Sequence, residues 1–489
     1  MSRSRTTDPA WLSGRQLAAR IRRGDLSAVE ALDMAVARME RVNPRINAIV
    51  ATDLPRARRQ AKAADRARAR GVPLGPLHGV PMTVKESFDV AGLPTTVGFE
   101  AQRDNRPVRD AVVVERLSAA GAIVFGKTNL PVAMADWQSF NPVYGTTNNP
   151  WDLARGPGGS SGGSAAALAA GLTPLEYGSD IGASIRNPAH YCGVFGHKPT
   201  IGIVPSRGHG LPPYIHERDI AVVGPLARTA ADLELLFKVT AGADPEWQQG
   251  WRLALRPSTR RSLAGLRVGV LLSVPTSAVD GTVQAVLERL GRAMKSAGAK
   301  LDWTPALPFD LAQAHEAYVM LLRAATSRGL ADAQYAQMQA RSGAVPAGDG
   351  SYEALLVRAS TMSHRDWHHW NAVRMAITEG WRQWFGRHDV LLCPTASTTA
   401  FPHMQQGERW ERMLDVDGRP QPSTTQMFWA GLGGMCGLPA TVVPAGLASD
   451  GLPVGAQLIG ARGADLDLLA IARLLEREGF GFTAPPGFE

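Results

Sequence analysis

Two glycine–serine segments stand close together in the chain, GPGGSSGGS over 156–164 and GSDIGASIRNP over 178–188. A serine hydroxyl becomes a nucleophile once a base takes its proton, and backbone N–H groups gathered in a tight turn hold an oxyanion. Such loops suit acyl transfer. Two simpler readings compete. A Gly/Ser linker is flexible and joins folded units, but the first segment runs without a gap into SAAALAAG, an alanine-rich helix former. A phosphate cradle needs G-x-x-x-x-G-K-[ST], or G-x-G-x-x-G directly after a strand. Here no lysine follows the glycines, and WDLARGPGG brings no strand to them. Ordered catalytic loops are the reading that remains.

No histidine–acid motif accompanies the serines. His190 and His197 lie near the second loop and read as core or loop histidines, and Cys192 has no base beside it. The usual histidine–acid partner is therefore missing, and the residues alone name no base. The chain has seven lysines. Lys62, Lys295 and Lys300 sit in polar or helix-end settings, and Lys238 lies in the helical LELLFKVT. Lys85, Lys127 and Lys198 lie in motif-like segments, and the residues alone do not choose among them. His364 and His368 in SHRDWHHW have an i, i+4 spacing that suits a metal. No H-E-x-x-H pattern or third ligand accompanies them, so no metal site is expected.

These residues need elements to position them. GVPMTVKESFDV alternates as a strand, with Val80, Met82 and Val84 on one face and Thr83 and Lys85 on the other. The helical AVVVERLSAAG and the strand AIVFGKT follow, which predicts a parallel crossover. The pattern returns in LRVGVLLS, VQAVLERLGRAMKSAG and KLDWT. HDVLLCPT is a further strand, and PATVVPAGL–ASDG–PVGAQLIG reads as an antiparallel hairpin before a last helix over 464–478. Upstream, SAVEALDMAVARMERV places Val29, Leu32, Val36 and Met39 on one helical face. Ser27 and Glu30 form a capping box at its start. Between 305 and 385 the chain becomes helical and rich in Met, Tyr and Trp, with a loop over 341–351. It reads equally as a cover over a site or as an ordinary helical layer.

Composition narrows the class. The 489 residues carry a net charge of +8, but 45 arginines are dispersed, and the densest cluster, RARRQAKAADRARARG, reads as the solvated face of one helix. No nucleic-acid motif accompanies it, so no nucleic-acid partner is expected. No run of 18 apolar residues predicts a membrane span, and the N-terminus lacks an apolar stretch long enough for a signal peptide. Three scattered cysteines, Cys192, Cys393 and Cys436, form neither a disulfide framework nor a zinc pattern. A cytoplasmic protein with reduced thiols is expected.

GPGGSSGGSAAALAAG followed by LEYGSDIGASIRNPAHYCGVFGHKPT resembles the signature of the amidase signature family. GPLHGVPMTVKESFDVAG, GKTNLPVAMADWQSFNPVYGTTNNPWD, LLCPT and GLPATVVPAG…GLPVGAQLIG resemble further family segments in the same order. The resemblance covers most of 10–240 and 385–478 and is weak over 245–385. It implies an α/β fold, the amidase signature fold, with a large mixed, mostly parallel sheet flanked by helices on both faces. The implied division is an N-terminal helical segment over 1–70, a signature core with the catalytic residues over 71–240, a variable, largely helical cover over 241–385, and a return to the same sheet core over 386–489, one compact catalytic domain overall.

The resemblance also implies a Ser-Ser-Lys triad, with Ser184 as nucleophile, Ser160 as the bridging serine on a cis peptide bond, and Lys85 as base. The N–H groups of Ile181, Gly182, Ala183 and Ser184 would form the oxyanion hole, with Ser161, Asp180 and Arg186 in support. Met134, Ala135, Asp136, Trp137, Gly158 and Gly159 would line the substrate pocket. One departure is visible: Ala183 stands where the family usually has glycine. The implied activity is hydrolysis of linear, cyclic or aryl amides of the 6-aminohexanoate or acylamidase type through an acyl-enzyme, extending to carbamates (urethanes) and esters. The implied substrate is a small-molecule amide or carbamate, with no metal and no cofactor, handled by a monomer or homodimer. A glutaminase component of a tRNA-dependent amidotransferase shares the same triad and is the alternative. A non-catalytic binding protein on this fold is the alternative of another class.

Overall fold

The computed structural model describes residues 9–212, 218–346 and 348–488. Helices α1 (Gly14–Arg23), α2 (Ala28–Ile46) and α3 (Leu54–Ala69) open the chain, with strand β1 (Ile49–Thr52) between the last two. The Ser27–Glu30 capping box is present at the start of α2. Leu32 and Val36 are buried, with Val29 and Met39 packed beside them. On α3 only Ala57 and Ala61 are fully buried, and Arg58, Arg59 and Arg66 form the solvated face that the alternation with alanine predicts. Arg56 departs from it, turning inward to donate to the Ala91 and Val124 carbonyls.

Strand β2 (Pro81–Lys85), helix α4 (Val112–Ala119) and strand β3 (Ile123–Thr128) then form the expected crossover, with β2 and β3 parallel. A short ladder of β4 (Phe140–Asn141) and β5 (Gly145–Thr146) precedes the signature region. That region runs through α5 (Gly162–Ala169), β6 (Leu175–Asp180), α6 (Arg186–Cys192), β7 (Phe195–Lys198), β8 (Val222–Ala227) and α7 (Ala230–Thr240). A second crossover follows in β9 (Arg267–Val270), α8 (Gly281–Ser296) and β10 (Lys300–Asp302), again with parallel strands.

The segment over 305–385 is the helical layer α9 (Leu311–Ser327), α10 (Asp332–Ser342), α11 (Tyr352–Ser360) and α12 (His364–Trp384). The chain returns through β11 (Val390–Pro394), a small hairpin of β12 (Met413–Val416) and β13 (Arg419–Pro422), α13 (Met427–Gly434), the hairpin β14 (Ala440–Leu447) and β15 (Pro453–Gly460), and α14 (Asp465–Arg477).

The main sheet has eight strands in the order β10-β9-β11-β15-β14-β7-β8-β6. It is mixed and flanked by helices, as expected. Helices cover both faces: a side chain on Gly455 of β15 would meet His190 of α6, and one on Gly460 would meet Leu468 of α14. Positions of opposite parity point to opposite faces of a strand. The emphasis on parallel pairing needs correction. Only the β10–β9 and β9–β11 ladders are parallel, and the others are antiparallel. The parallel pair joined directly in this sheet has a crossover helix, whereas the β14–β15 hairpin closes through a tight turn, which permits only antiparallel pairing. A separate sheet in the order β1-β3-β2 lies beside the edge strand β6, with β2 against it.

Candidate active site

Strand β2 ends on Lys85, and its neighbour β6 ends on Asp180, so the two strands deliver a lysine and a carboxylate to one place. Thr83 Oγ1, on the same face of β2 as Lys85, donates to the buried Glu176 of β6. Burial lifts the Glu176 carboxyl to about 8, so at neutral pH it is largely protonated. Lys85 is fully buried. Its Nζ donates to Ser160 Oγ at 2.6 Å and to Ser179 Oγ at 3.0 Å. Burial lowers its pKa from 10.5 to about 7, against the pull of the Asp180 carboxylate. The other lysines in motif-like segments are also buried, but among the described residues neither bonds a serine. Lys127 donates to the Pro94 carbonyl and Thr95 Oγ1, and Lys198 to the carbonyls of Leu438 and Pro199.

Ser160 follows a cis Gly159–Ser160 peptide and stands just ahead of α5. The next residue ties the two loops together. Ser161 N–H donates to the Ser184 carbonyl at 3.1 Å, and its hydroxyl lies 3.4 Å from both the carbonyl and the N–H of Ser179. Ser184 is 5% exposed, and the loop is more open at Ile181, which is half-buried. The structure thus joins Lys85 directly to Ser160. Among the described residues, the hydrogen bond from the first loop to Ser184 comes from Ser161.

The second loop is wound around Asp180. Its carboxylate accepts the N–H groups of Ala183, Ile185 and Arg186 at 3.0, 3.2 and 3.3 Å. Arg186 grips both oxygens, at 2.9 Å through Nε and 2.8 Å through Nη2, with both side chains fully buried. Burial pushes the Asp180 carboxyl up, and the Arg186 guanidinium more than offsets this, so it stays below its ordinary value. Arg186 Nη1 then reaches Gln457 Oε1 at 2.7 Å and the Ala430 carbonyl at 3.0 Å.

This winding corrects one expectation about the oxyanion donors. The Ala183 N–H is committed to Asp180, which removes it from the expected set. The N–H groups of Ile181, Gly182 and Ser184 have no hydrogen-bond partner among the described residues. Ala183 adopts φ +69°, a left-handed conformation that glycine takes at no steric cost and alanine at about 1 kcal/mol.

Two side chains outside the serine loops hold the neighbouring carbonyls. Trp137 Nε1 donates to the Gly182 carbonyl at 2.7 Å, and the Tyr318 hydroxyl of α9 to the Ile181 carbonyl at 3.1 Å. Across a trans peptide the C=O and N–H point in opposite directions. Holding the Ile181 carbonyl therefore turns the Gly182 N–H the other way, and holding the Gly182 carbonyl turns the Ala183 N–H toward Asp180.

Of the expected pocket residues, Met134, Ala135, Asp136 and Trp137 are half-buried, and Met134 Sδ lies 4.0 Å from Ser179 Oγ. Gly158 and Gly159 lie in tight backbone contact with their surroundings. A methyl group on Gly158 would strike Asn187 and Pro188, and one on Gly159 would strike the backbone of Asp136 and Gln138. These glycines let the backbone pack closely against Asn187, Pro188 and the 136–138 segment.

Sequence reasoning does not single out Ser179, Glu176 or Tyr318 for the site. Ser179 carries a signal, since it precedes Asp180 in the second glycine–serine segment. Tyr318 carries none, because its partner is a backbone carbonyl far away in sequence. His364 and His368 face each other with ring centroids 4.4 Å apart. Among the described residues no group of three His, Cys, Asp or Glu side chains could hold a metal ion, and no helix is long and apolar enough to cross a membrane.

An Amidase family model matches residues 30–469. The chain is 34% identical to a glutamyl-tRNA(Gln) amidotransferase subunit of Streptomyces coelicolor over 96% of each chain. It is also 34% identical to an acylamidase of Rhodococcus erythropolis over 95% of each. Among solved structures it is similar to a bacterial aryl acylamidase of the amidase signature enzymes, with a TM-score of 0.81, 27% identity and 96% of each chain covered. It is similar as well to 6-aminohexanoate cyclic dimer hydrolase, with a TM-score of 0.79, 26% identity and 98% and 100% coverage.

Proposed function

This chain belongs to the amidase family, hydrolases of amide C–N bonds, and we propose that it cleaves a small-molecule amide through an acyl-enzyme on Ser184, with Ser160 and Lys85 as its proton relay. The observation that carries this reading is the 2.6 Å contact of Lys85 with Ser160, made by a lysine whose pKa burial lowers to about 7. A lysine near that value is partly neutral at physiological pH and can accept a proton.

In the proposed cycle neutral Lys85 takes the Ser160 proton as Ser160 takes that of Ser184, and Ser184 Oγ bonds to the amide carbon. The N–H groups of Ile181, Gly182 and Ser184 carry the resulting oxyanion. The C–N bond breaks as the relay returns the proton to the leaving nitrogen, so the amine departs neutral. Water then attacks the acyl-serine, gives its proton to the same relay, and the acid leaves with Ser184 restored. The role of Asp180 and Arg186 is to hold the loop that presents these amides. Carbamates and esters offer the same developing oxyanion and fall within the proposal. The reading has the chain acting as a monomer or homodimer in the cytoplasm.

The test is turnover of aryl amides, linear amides, carbamates, esters and glutamine by the wild type, Lys85→Ala and Ser184→Ala. Amide turnover that both substitutions reduce by about 10³-fold or more is expected. Near wild-type turnover in Ser184→Ala overturns the mechanism. The likeness to a glutamyl-tRNA(Gln) amidotransferase chain supports a second reading, a glutaminase working with partner chains. Glutamine turnover in preference to simple amides would select it.

A further inference from the structure

Two arginines bind the 134–137 segment, and a third, Arg323, neighbours one of them, Arg409. Arg409 donates to the Ala135 carbonyl, and Arg412 Nη1 to Asp136 Oδ2 at 2.7 Å. Arg323, on α9 beyond Tyr318, donates to the Tyr352 hydroxyl and lies 3.8 Å from Met427 Sδ. Burial lowers the Arg409 pKa, and the neighbouring Arg323 guanidinium adds to the effect.

The charges of this cluster do not balance. Asp136 is taken by Arg412. Glu408 and Glu411 are exposed, and the Glu411 carboxylate accepts the Glu408 N–H at 2.9 Å. Arg323 is 7% exposed, forms no ion pair among the described residues, and has a buried Nε with no hydrogen-bond partner. A cation taken out of water without a counter-charge is costly, and a guanidinium is never relieved by losing its proton.

The cluster borders the candidate active site from two sides. Met427 begins α13, whose Ala430 carbonyl accepts Arg186 and whose Gly431 lies against the Tyr318 ring. Ala135 follows Met134, which touches Ser179 beside Lys85. A substrate group held at Arg323 would thus lie next to the loops that act on the amide.

We propose that Arg323, with Arg409 beside it, is a carboxylate-binding subsite, and that the amides this chain hydrolyses carry a carboxylate on their acyl or amine part. The planar guanidinium fork matches a carboxylate in two parallel hydrogen bonds. The inference rests on the hydrolytic reading above, and its test separates the two.

The probes are two pairs, each an acid and a neutral relative: N-phenylsuccinamic acid with butyranilide, and 4-acetamidobenzoic acid with 4-methylacetanilide. With the full chain, kcat/KM for the acid of at least one pair is expected to exceed that of its neutral relative by about 10-fold or more at low salt. In Arg323→Met the preference is expected to fall to about 2-fold or less, with Arg323→Lys between the two. Should Arg323→Met fail to fold, as judged by its Tm, Arg409→Gln provides the same readout. Calorimetric binding of both pairs to Ser184→Ala is independent of turnover. Acid-selective binding that Arg323→Met abolishes, without turnover by the wild type, overturns the hydrolytic reading and keeps the subsite. Turnover without an acid preference, or with one that Arg323→Met leaves unchanged, overturns the subsite and keeps the hydrolytic reading.

Discussion

At Lys85 two effects oppose each other. Burial favours the neutral amine, the Asp180 carboxylate favours the ammonium, and burial prevails, bringing the pKa to about 7. Below that value the amine already holds a proton and cannot accept one from Ser160; above it, it can. With a neutral anilide as substrate, kcat/KM should therefore rise with pH through an apparent pKa of about 7 and then level off. A wild-type profile that is flat across this range would exclude Lys85 as the base. The same shift gives this residue a stability term of defined sign. The unfolded lysine binds its proton at about 10.5 and the folded one at about 7, so raising the pH between these values favours the folded state. At this scale the sequence names Lys85, Ser160, Ser184, Asp180 and Arg186 as candidates only through a motif. Residues alone leave Lys85, Lys127 and Lys198 level, because burial is common to all three. Only the bond to a loop serine separates them. The commitment of the Ala183 N–H to Asp180 is hidden for a similar reason, since a turn's hydrogen bonds depend on a φ that the residue type alanine does not announce.

Helices α9 and α13 act on the site as elements. Gly431 of α13 leaves room for the Tyr318 ring of α9, and the Tyr318 hydroxyl holds the Ile181 carbonyl. Tyr318→Phe keeps the packing and deletes that bond. It should lower kcat by about 10-fold with KM little changed, because the loop's amides matter most when the oxyanion forms. Gly431→Ala places a methyl group on the ring, and should lower kcat in the same way while also costing about 1–3 kcal/mol in urea unfolding. A loss of stability in Gly431→Ala with kcat intact would break the proposed link between helix contact and loop. Much at this scale is open to sequence reasoning. The two crossovers, the β14–β15 hairpin and the α2 cap follow from local periodicity and turn chemistry. The direction in which distant strands pair does not follow. The β14–β7 pair joins segments separated by more than the whole helical layer, and nothing in either strand's own pattern encodes whether they run parallel. The role of the helical layer is equally open in the sequence, and α9 proves to reach the candidate site while α10 buries no residue.

Across the whole molecule, the second glycine–serine loop depends on the far end of the chain. Strands β11, β15 and β14 stand in the middle of the eight-stranded sheet, between β9 and β7, so the C-terminal segment completes the centre of the sheet and not its margin. Arg186 transmits that dependence to the site. It grips Asp180 within the loop and also binds Gln457 of β15 and the Ala430 carbonyl of α13. Because both charges are fully buried, removing one leaves the other without compensation. Arg186→Met should therefore cost about 3–5 kcal/mol in urea unfolding, and Asp180→Asn should also destabilise, because it leaves a buried guanidinium without its counter-charge. The double variant distinguishes a coupled pair from two independent packing defects. With no charge left unpaired, its loss should fall short of the sum of the single losses by about 1–3 kcal/mol. Simple addition would mean that Arg186 stabilises the fold through Gln457 and Ala430 alone. The Asp180-centred loop would then be held by its backbone bonds, and the path from the C-terminal sheet to the nucleophile would end at Arg186.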